Sequence, residues 1–196
     1  MTRSSWFLGI IGLIVVVAAA LVYRGSVAAA GQSSDKSGDD PVSRITGYTV
    51  KGEYDKALQE GQLALKSDPE NPAILNQMAG ICLIRAKKEP AQHEDWIRKG
   101  AEYAQEAASG TSNKGPMAIG YVVEAGRSLE LAGDLSADKC TYYRKALDVL
   151  ENRGPAIKGD STKVDGKPVS LTPVLSQKAK TIAEIQKKLA DAHCEK

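Results

Sequence analysis

Apolar and polar positions along the chain follow three different patterns. Trp6 to Tyr23 (WFLGIIGLIVVVAAALVY) carries no charge and no strongly polar group. As a helix it runs roughly 27 Å at 1.5 Å per residue, close to the hydrocarbon thickness of a bilayer. Trp6, Phe7 and Tyr23 mark its ends as an aromatic belt would, with Arg3 and Arg24 just outside. The pattern predicts a membrane anchor over 1–30 with its span at 6–23. The competing reading is a cleaved signal peptide, for which Ala28-Ala29-Ala30 offers a site before Gly31, although the apolar run exceeds the usual core of such a leader. Gly31 to Asp40 (GQSSDKSGDD) has no apolar residue and reads as a solvated tether.

From Pro41 the apolar spacing becomes helical, and no sustained strand is predicted before Arg153. Breakers recur at Asp68-Pro69, Asn71-Pro72, Glu89-Pro90, Gly115-Pro116, Gly133-Asp134 and Gly154-Pro155. The segments between them suit antiparallel helical hairpins. Small residues repeat at i, i+4, i+7: Ala57, Gly61 and Ala64, then Gly100, Ala104 and Ala107. Such a stripe lets a neighbouring helix lie close. The opposing knobs are Leu75, Met78 and Cys82 in one unit and Val122, Leu129 and Leu131 in the next. The first helix, Pro41 to Val50, has Val42, Ile45 and Tyr48 to bury, and the second hairpin carries a long turn from Lys87 to Asp95.

The stretch KGEYDKALQEGQLALKSDPENP (51–72) resembles the second half of a tetratricopeptide repeat, with its turn glycine, small alanines and closing Asp-Pro. The resemblance weakens over 72–109 and 115–152, where Lys139 stands in place of a small residue. It implies an all-α chain: a transmembrane helix followed by a right-handed α-solenoid of about three helix pairs over 41–152. The alternative is an unrelated antiparallel bundle. The resemblance also implies that the first helix of each pair lines a concave groove for peptides or partner segments. Carried over to matching positions, that groove is Asn76, Gly80 and Leu83 in the second unit and Val123, Arg127 and Glu130 in the third. The basic and asparagine pattern with which some family members clamp a terminal carboxylate is not visible.

Arg153 to Thr172 loses the helical period, and the Asp165-Gly166 turn between Val164 and Val169 allows a small β-hairpin or an ordered loop. Thr172-Pro173 opens a closing helix over 173–196, with Leu175, Ala179, Ile182, Ile185 and Leu189 on one stripe. Lys178, Lys180, Lys187 and Lys188 are expected on its outer face, making it a cap for the last pair. Cys140 and Cys194 bear on its register. An antiparallel placement of equal register leaves them roughly 13 Å out of step, beyond a disulfide, unless the preceding loop slides the helix.

Composition narrows the function. Basic residues number 26 and acidic 24, and Arg3 and Arg24 supply the whole excess, so the rest of the chain is balanced. A nucleic-acid binder concentrates basic charge, so no nucleic-acid partner is expected. The two histidines, His93 and His193, lie in different units and read as solvated surface residues, so no metal or haem is suggested. Cys82 reads as a core residue. Asp39-Asp40 and Glu94-Asp95 read as linker and helix-start charge. No phosphate loop and no nucleophile elbow occur. The expectations are therefore no catalytic residue, no cofactor and no small-molecule substrate.

What remains is binding. The chain is expected to be a single-pass protein of the cytoplasmic membrane whose soluble domain faces the periplasm or exterior. It would scaffold or assist assembly of a membrane or envelope complex through a protein partner. Its architecture is similar to that of ancillary translocon subunits. The alternative is a permanent accessory subunit of a larger energy-transducing or secretion complex.

Overall fold

The computed structural model describes residues 40–194, Asn113 excepted. The anchor assigned to 1–30, with its span at 6–23, and the tether assigned to 31–40 lie outside the described residues except for Asp40. Among those described, no helix is long and apolar enough to cross a membrane. The fold is mainly helical, with one two-stranded sheet.

Three helical hairpins come first: α1 (Pro41–Val50) with α2 (Tyr54–Leu65), α3 (Pro72–Lys88) with α4 (His93–Ser109), and α5 (Ile119–Leu135) with α6 (Lys139–Asn152). Their starts follow from capping chemistry. Asp40, expected as linker charge, is instead the cap of α1, its carboxylate accepting from the Ser43 amide at 3.0 Å, with Pro41 in the first turn. Asn71 Oδ1 accepts from the amides of Ala73 and Ile74 at 3.1 and 3.2 Å, and Pro72 follows it. Asp138 accepts from Thr141 to open α6. The turn between α3 and α4 is shorter than the 87–95 stretch predicted. The helices run to Lys88 and from His93, and a 3-10 turn, Pro90–Gln92, joins them.

The small residues do what their spacing implied. Ala57, Gly61 and Ala64 are buried on α2, and Gly100, Ala104 and Ala107 on α4. Gly126 and Gly133 give α5 its close approach to α6. A Cβ on Gly126 would sit 2.6 Å from the Leu150 side chain, and one on Gly133 2.5 Å from the Tyr143 ring. One apolar cluster joins Ile45, Ala57 and Ala64 to Ile74, Met78 and Ile81 of α3. A second runs from Leu75, Cys82 and Leu83 through Ile97, Val122 and Leu129 to Leu150 and Ile185. α3 feeds both, so it is apolar nearly all round.

First helices of neighbouring pairs also lie against one another, α1 on α3 and α3 on α5, whereas the second helices α4 and α6 meet at few points. After α6 the chain forms β1 (Ser161–Val164) and β2 (Lys167–Ser170). Asp165 and Gly166 between them both have positive φ, 50° and 77°, as a two-residue hairpin turn requires.

The closing helix, α7 (Thr172–Asp191), packs on α5 and α6. Its packed stripe keeps Leu175, Ile182, Ile185 and Leu189 of the predicted one and differs at Ala179, in whose place Thr181 is buried. Ile185 and Thr181 are fully buried, Val174, Leu175, Ile182 and Leu189 pack partly, and Ala179 is exposed. Lys188, expected outside, turns inward to Glu130 and Asp134, both at 2.7 Å. Lys178 is also partly covered, and burial lowers its pKa. Lys180 and Lys187 are exposed as expected.

Cys140 and Cys194 are joined by a disulfide, with Cα atoms 5.5 Å apart. The equal-register estimate failed for two reasons. The loop and hairpin let α7 slide along α6. The chain also leaves α7 at Asp191 and folds back through His193, whose φ is 52°, so that the Cys194 amide returns to the Leu189 carbonyl at 3.0 Å.

Candidate partner-binding face

Helical spacing sets which side chains α3 and α5 present where they meet. Asn76 and Gly80 are one turn apart on α3, and Val123, Glu124 and Arg127 share a turn of α5. Asn76 Nδ2 crosses between the helices, donating to the Tyr121 carbonyl at 3.0 Å and reaching Glu124 Oε2 at 3.4 Å. The Asn76 side chain is about nine-tenths buried, and its Oδ1 is buried with no hydrogen-bond partner among the described residues. An unpaired buried acceptor costs roughly 1–3 kcal/mol, so this position is not explained by stability.

Gly80 is partly exposed, and a Cβ there would meet nothing within 4 Å. A mid-helix glycine costs up to about 1 kcal/mol against alanine, and packing here does not ask for it. Arg127 is exposed and makes no ion pair among the described residues. Glu124 is open to solvent at its edge, yet the protein packed around it withholds hydration and raises its carboxyl pKa. The Arg127 charge one turn on pulls it partly back.

The predicted groove is therefore only partly assembled as a surface. Gly80 and Arg127 are open, each about one turn beyond the part-buried Asn76–Glu124 contact on its own helix. Val123 is buried beside it, about 5% exposed. Leu83 is not a surface residue. It is buried in the core against Gly100, because α3 has neighbours on almost every side. Glu130 is not free either. The closing helix covers it, and its carboxylate takes Lys188. Around that contact Asp134 accepts from Tyr143 Oη at 2.7 Å as well as from Lys188. Burial, then the bond to Asp134, pushes the Tyr143 phenol up to about 12. Burial lowers the Lys188 pKa, but the two carboxylates outweigh it and leave it raised. Glu124 and Tyr121 complete the face and were not singled out from the sequence. Glu124 was legible in principle, one residue from Val123, but its approach to Asn76 joins helices 48 residues apart.

A second polar cluster lies elsewhere. A depression of about 400 Å³ is lined by Gly52 to Lys56 with Arg85 and Glu89. Arg85 is fully engaged there, paired with Asp55 and Glu89 and stacked 4.0 Å from the Trp96 ring centre. Trp96 Nε1 donates to Glu89 at 2.8 Å. The cluster fastens α2, α3 and α4 together. Cys82 is buried with its thiol pKa pushed up to about 11 by desolvation, so it acts as an apolar core residue.

Compared with models of protein families, with curated proteins and with solved structures, the chain gives no match.

Proposed function

We propose that the chain is a membrane-anchored, tetratricopeptide-like interaction module, a right-handed solenoid of three helix pairs closed by α7. In this reading it scaffolds or assists assembly of a membrane or envelope complex. The observation that carries it is the α3–α5 face, where an open glycine and an arginine without an ion pair among the described residues accompany a buried amide with a spare acceptor. Packing accounts for none of the three, and a docked partner segment would use each. The closer contact among first helices than among second helices supports a curved array with α1, α3 and α5 inside. The apolar run at 6–23 supports a single-pass anchor in the cytoplasmic membrane. The Cys140–Cys194 bond supports a helical domain facing the periplasm or exterior, because disulfides persist in oxidising compartments.

The partner is a protein. The balanced charge of the helical part supplies no long-range attraction, so recognition rests on groove shape and a few placed polar groups. Co-purification from membranes solubilised in mild detergent tests this. Arg127→Glu is expected to weaken capture of the native partner about tenfold or more, by roughly 1–2 kcal/mol, as interface arginines commonly do. Lys187→Glu on the outer face of α7 is expected to leave it unchanged. The reverse result overturns the assignment of this face.

A further inference from the structure

His93 was expected to be a solvated surface residue, and its surroundings say otherwise. It is the first residue of α4, half-buried, with both ring nitrogens at carbonyl oxygens. Nδ1 lies 2.7 Å from the Ala86 carbonyl in the last turn of α3, and Nε2 lies 3.0 Å from the carbonyl of Leu135, which ends α5. A neutral imidazole has one N–H and one bare lone pair. It can donate to one of these carbonyls but must set its lone pair against the other. The imidazolium donates to both. Both carbonyls also belong to helix C-terminal turns, where the backbone dipole favours a cation.

We propose that the His93 imidazolium is a pH-sensitive pin that holds the C-terminal ends of α3 and α5 together, and so sets the spacing of the face these helices form. The link to partner binding rests on the function proposed above; the pin itself does not. At the opposite end of the same two helices, Asn76 and the Tyr121 carbonyl form a tie that does not titrate. One end of the face is thus fixed, and the other depends on a proton.

The surrounding charges leave the ring to this role. On its own helix Glu94 adds a favourable negative charge, while its carboxylate accepts from Ser136 just beyond α5 at 3.2 Å. On α3 and the turn after it, Lys88 is turned to Tyr54, Glu89 is taken by Arg85 and Trp96, and Lys87 is exposed. On α5 and the turn after it, Asp134 is taken by Lys188 and Tyr143, and Asp138 caps α6. The backbone bonds to Ala86 and Leu135 are the leading causes that raise the His93 pKa above its ordinary 6.5. A raised folded-state pKa places the pin's full contribution below the unfolded value. The contribution is lost as pH rises through the folded value. The face is therefore pinned at acid pH and released as pH rises through the folded-state value, which lies above 6.5.

Two measurements on the full chain test this. Proton and nitrogen NMR of labelled histidine, in a His193→Gln background, follows the His93 ring directly. The expected result is titration above 6.5 with both ring N–H groups protected at low pH. Titration at or below 6.5 overturns the pin. Spin labels at Gly80→Cys and Arg127→Cys, with Cys82→Ala, report the helix spacing. A narrow distance distribution is expected at pH 5.5 and a broader one at pH 8.5, with His93→Gln broad at both. A distribution that does not change with pH in the chain that keeps His93 also overturns it. Neither readout needs a partner, so failure of the pin leaves the Arg127 test standing.

Discussion

At the residue scale, the α3–α5 face and the hairpin seams make opposite demands on glycine. Gly126 and Gly133 are filled from outside by Leu150 and Tyr143, while Gly80 has open space above it. Gly126→Ala and Gly133→Ala are expected to lose about 1–3 kcal/mol, because a methyl there meets packed side chains. Gly80→Ala is expected to gain up to about 1 kcal/mol from helix propensity alone. Denaturant midpoints decide between the classes, and a clear loss at Gly80 would mean that the site is not open. The same contrast explains what the sequence could not show at single positions. Helical spacing placed Asn76, Gly80 and Leu83 on one side of α3. It could not reveal that α3 has neighbours on most of its circumference, which takes Leu83 into the core. Nor could it reveal His93 as a bridge, since its two acceptors lie 7 and 42 residues away and are backbone atoms.

At the scale of elements, most breaks between helices were legible because they are local chemistry. Gly133-Asp134, expected as a breaker, instead lies inside α5, which runs on to Leu135 because Gly133 is needed there for the close approach of Tyr143. Asn71-Pro72, Asp68-Pro69 and the Asp165-Gly166 turn act through their own backbone and nearest neighbours. The phase of α7 was legible except at Ala179, but its register was not, because its position depends on a long loop and on a partner surface made by α5 and α6. Both the predicted and the packed stripe run through Ile185, but the predicted one includes Ala179 and the packed one Thr181, with Lys178 and Lys188 at its margin. A two-position experiment separates the stripes. Ile185→Ala is expected to cost about 2–5 kcal/mol, as for a fully buried aliphatic side chain. Ala179→Asp is expected to stay within about half a kcal/mol, as for an exposed position. A loss at Ala179→Asp as large as that at Ile185→Ala, measured by thermal melting, would show that Ala179 is packed as the sequence suggested. Glu130 belongs to the same lesson. It was placed in the groove by analogy of position, and the closing helix then claimed it.

At the scale of the whole molecule, one covalent bond ties the last residues described to the start of α6. α7 has only Thr181 and Ile185 fully buried, so its docking draws on the Lys188 carboxylate pair and on Cys140–Cys194 as well as on apolar area. The two cysteines are 54 residues apart in sequence. Closing a loop of that length in the unfolded chain is worth about 4 kcal/mol in the chain-entropy account. For a helical unit of this size each kcal/mol moves the melting temperature by about 2–4 °C, so reduction is expected to lower it by roughly 10 °C. Cys82 does not complicate the measurement, since its buried thiol stays protonated with a pKa of about 11 and is not poised for exchange. The paired Cys140→Ser, Cys194→Ser variant should melt where the reduced chain melts and should ignore added dithiol. Partner capture through Arg127 should survive reduction at temperatures below the new melting point, because the bond lies at α6 and α7 rather than at the α3–α5 face. A melting temperature unmoved by reduction would mean that the ion pairs and Ile185 hold the closing helix without it. Loss of capture in a folded, reduced chain would instead place the closing helix within the partner's footprint.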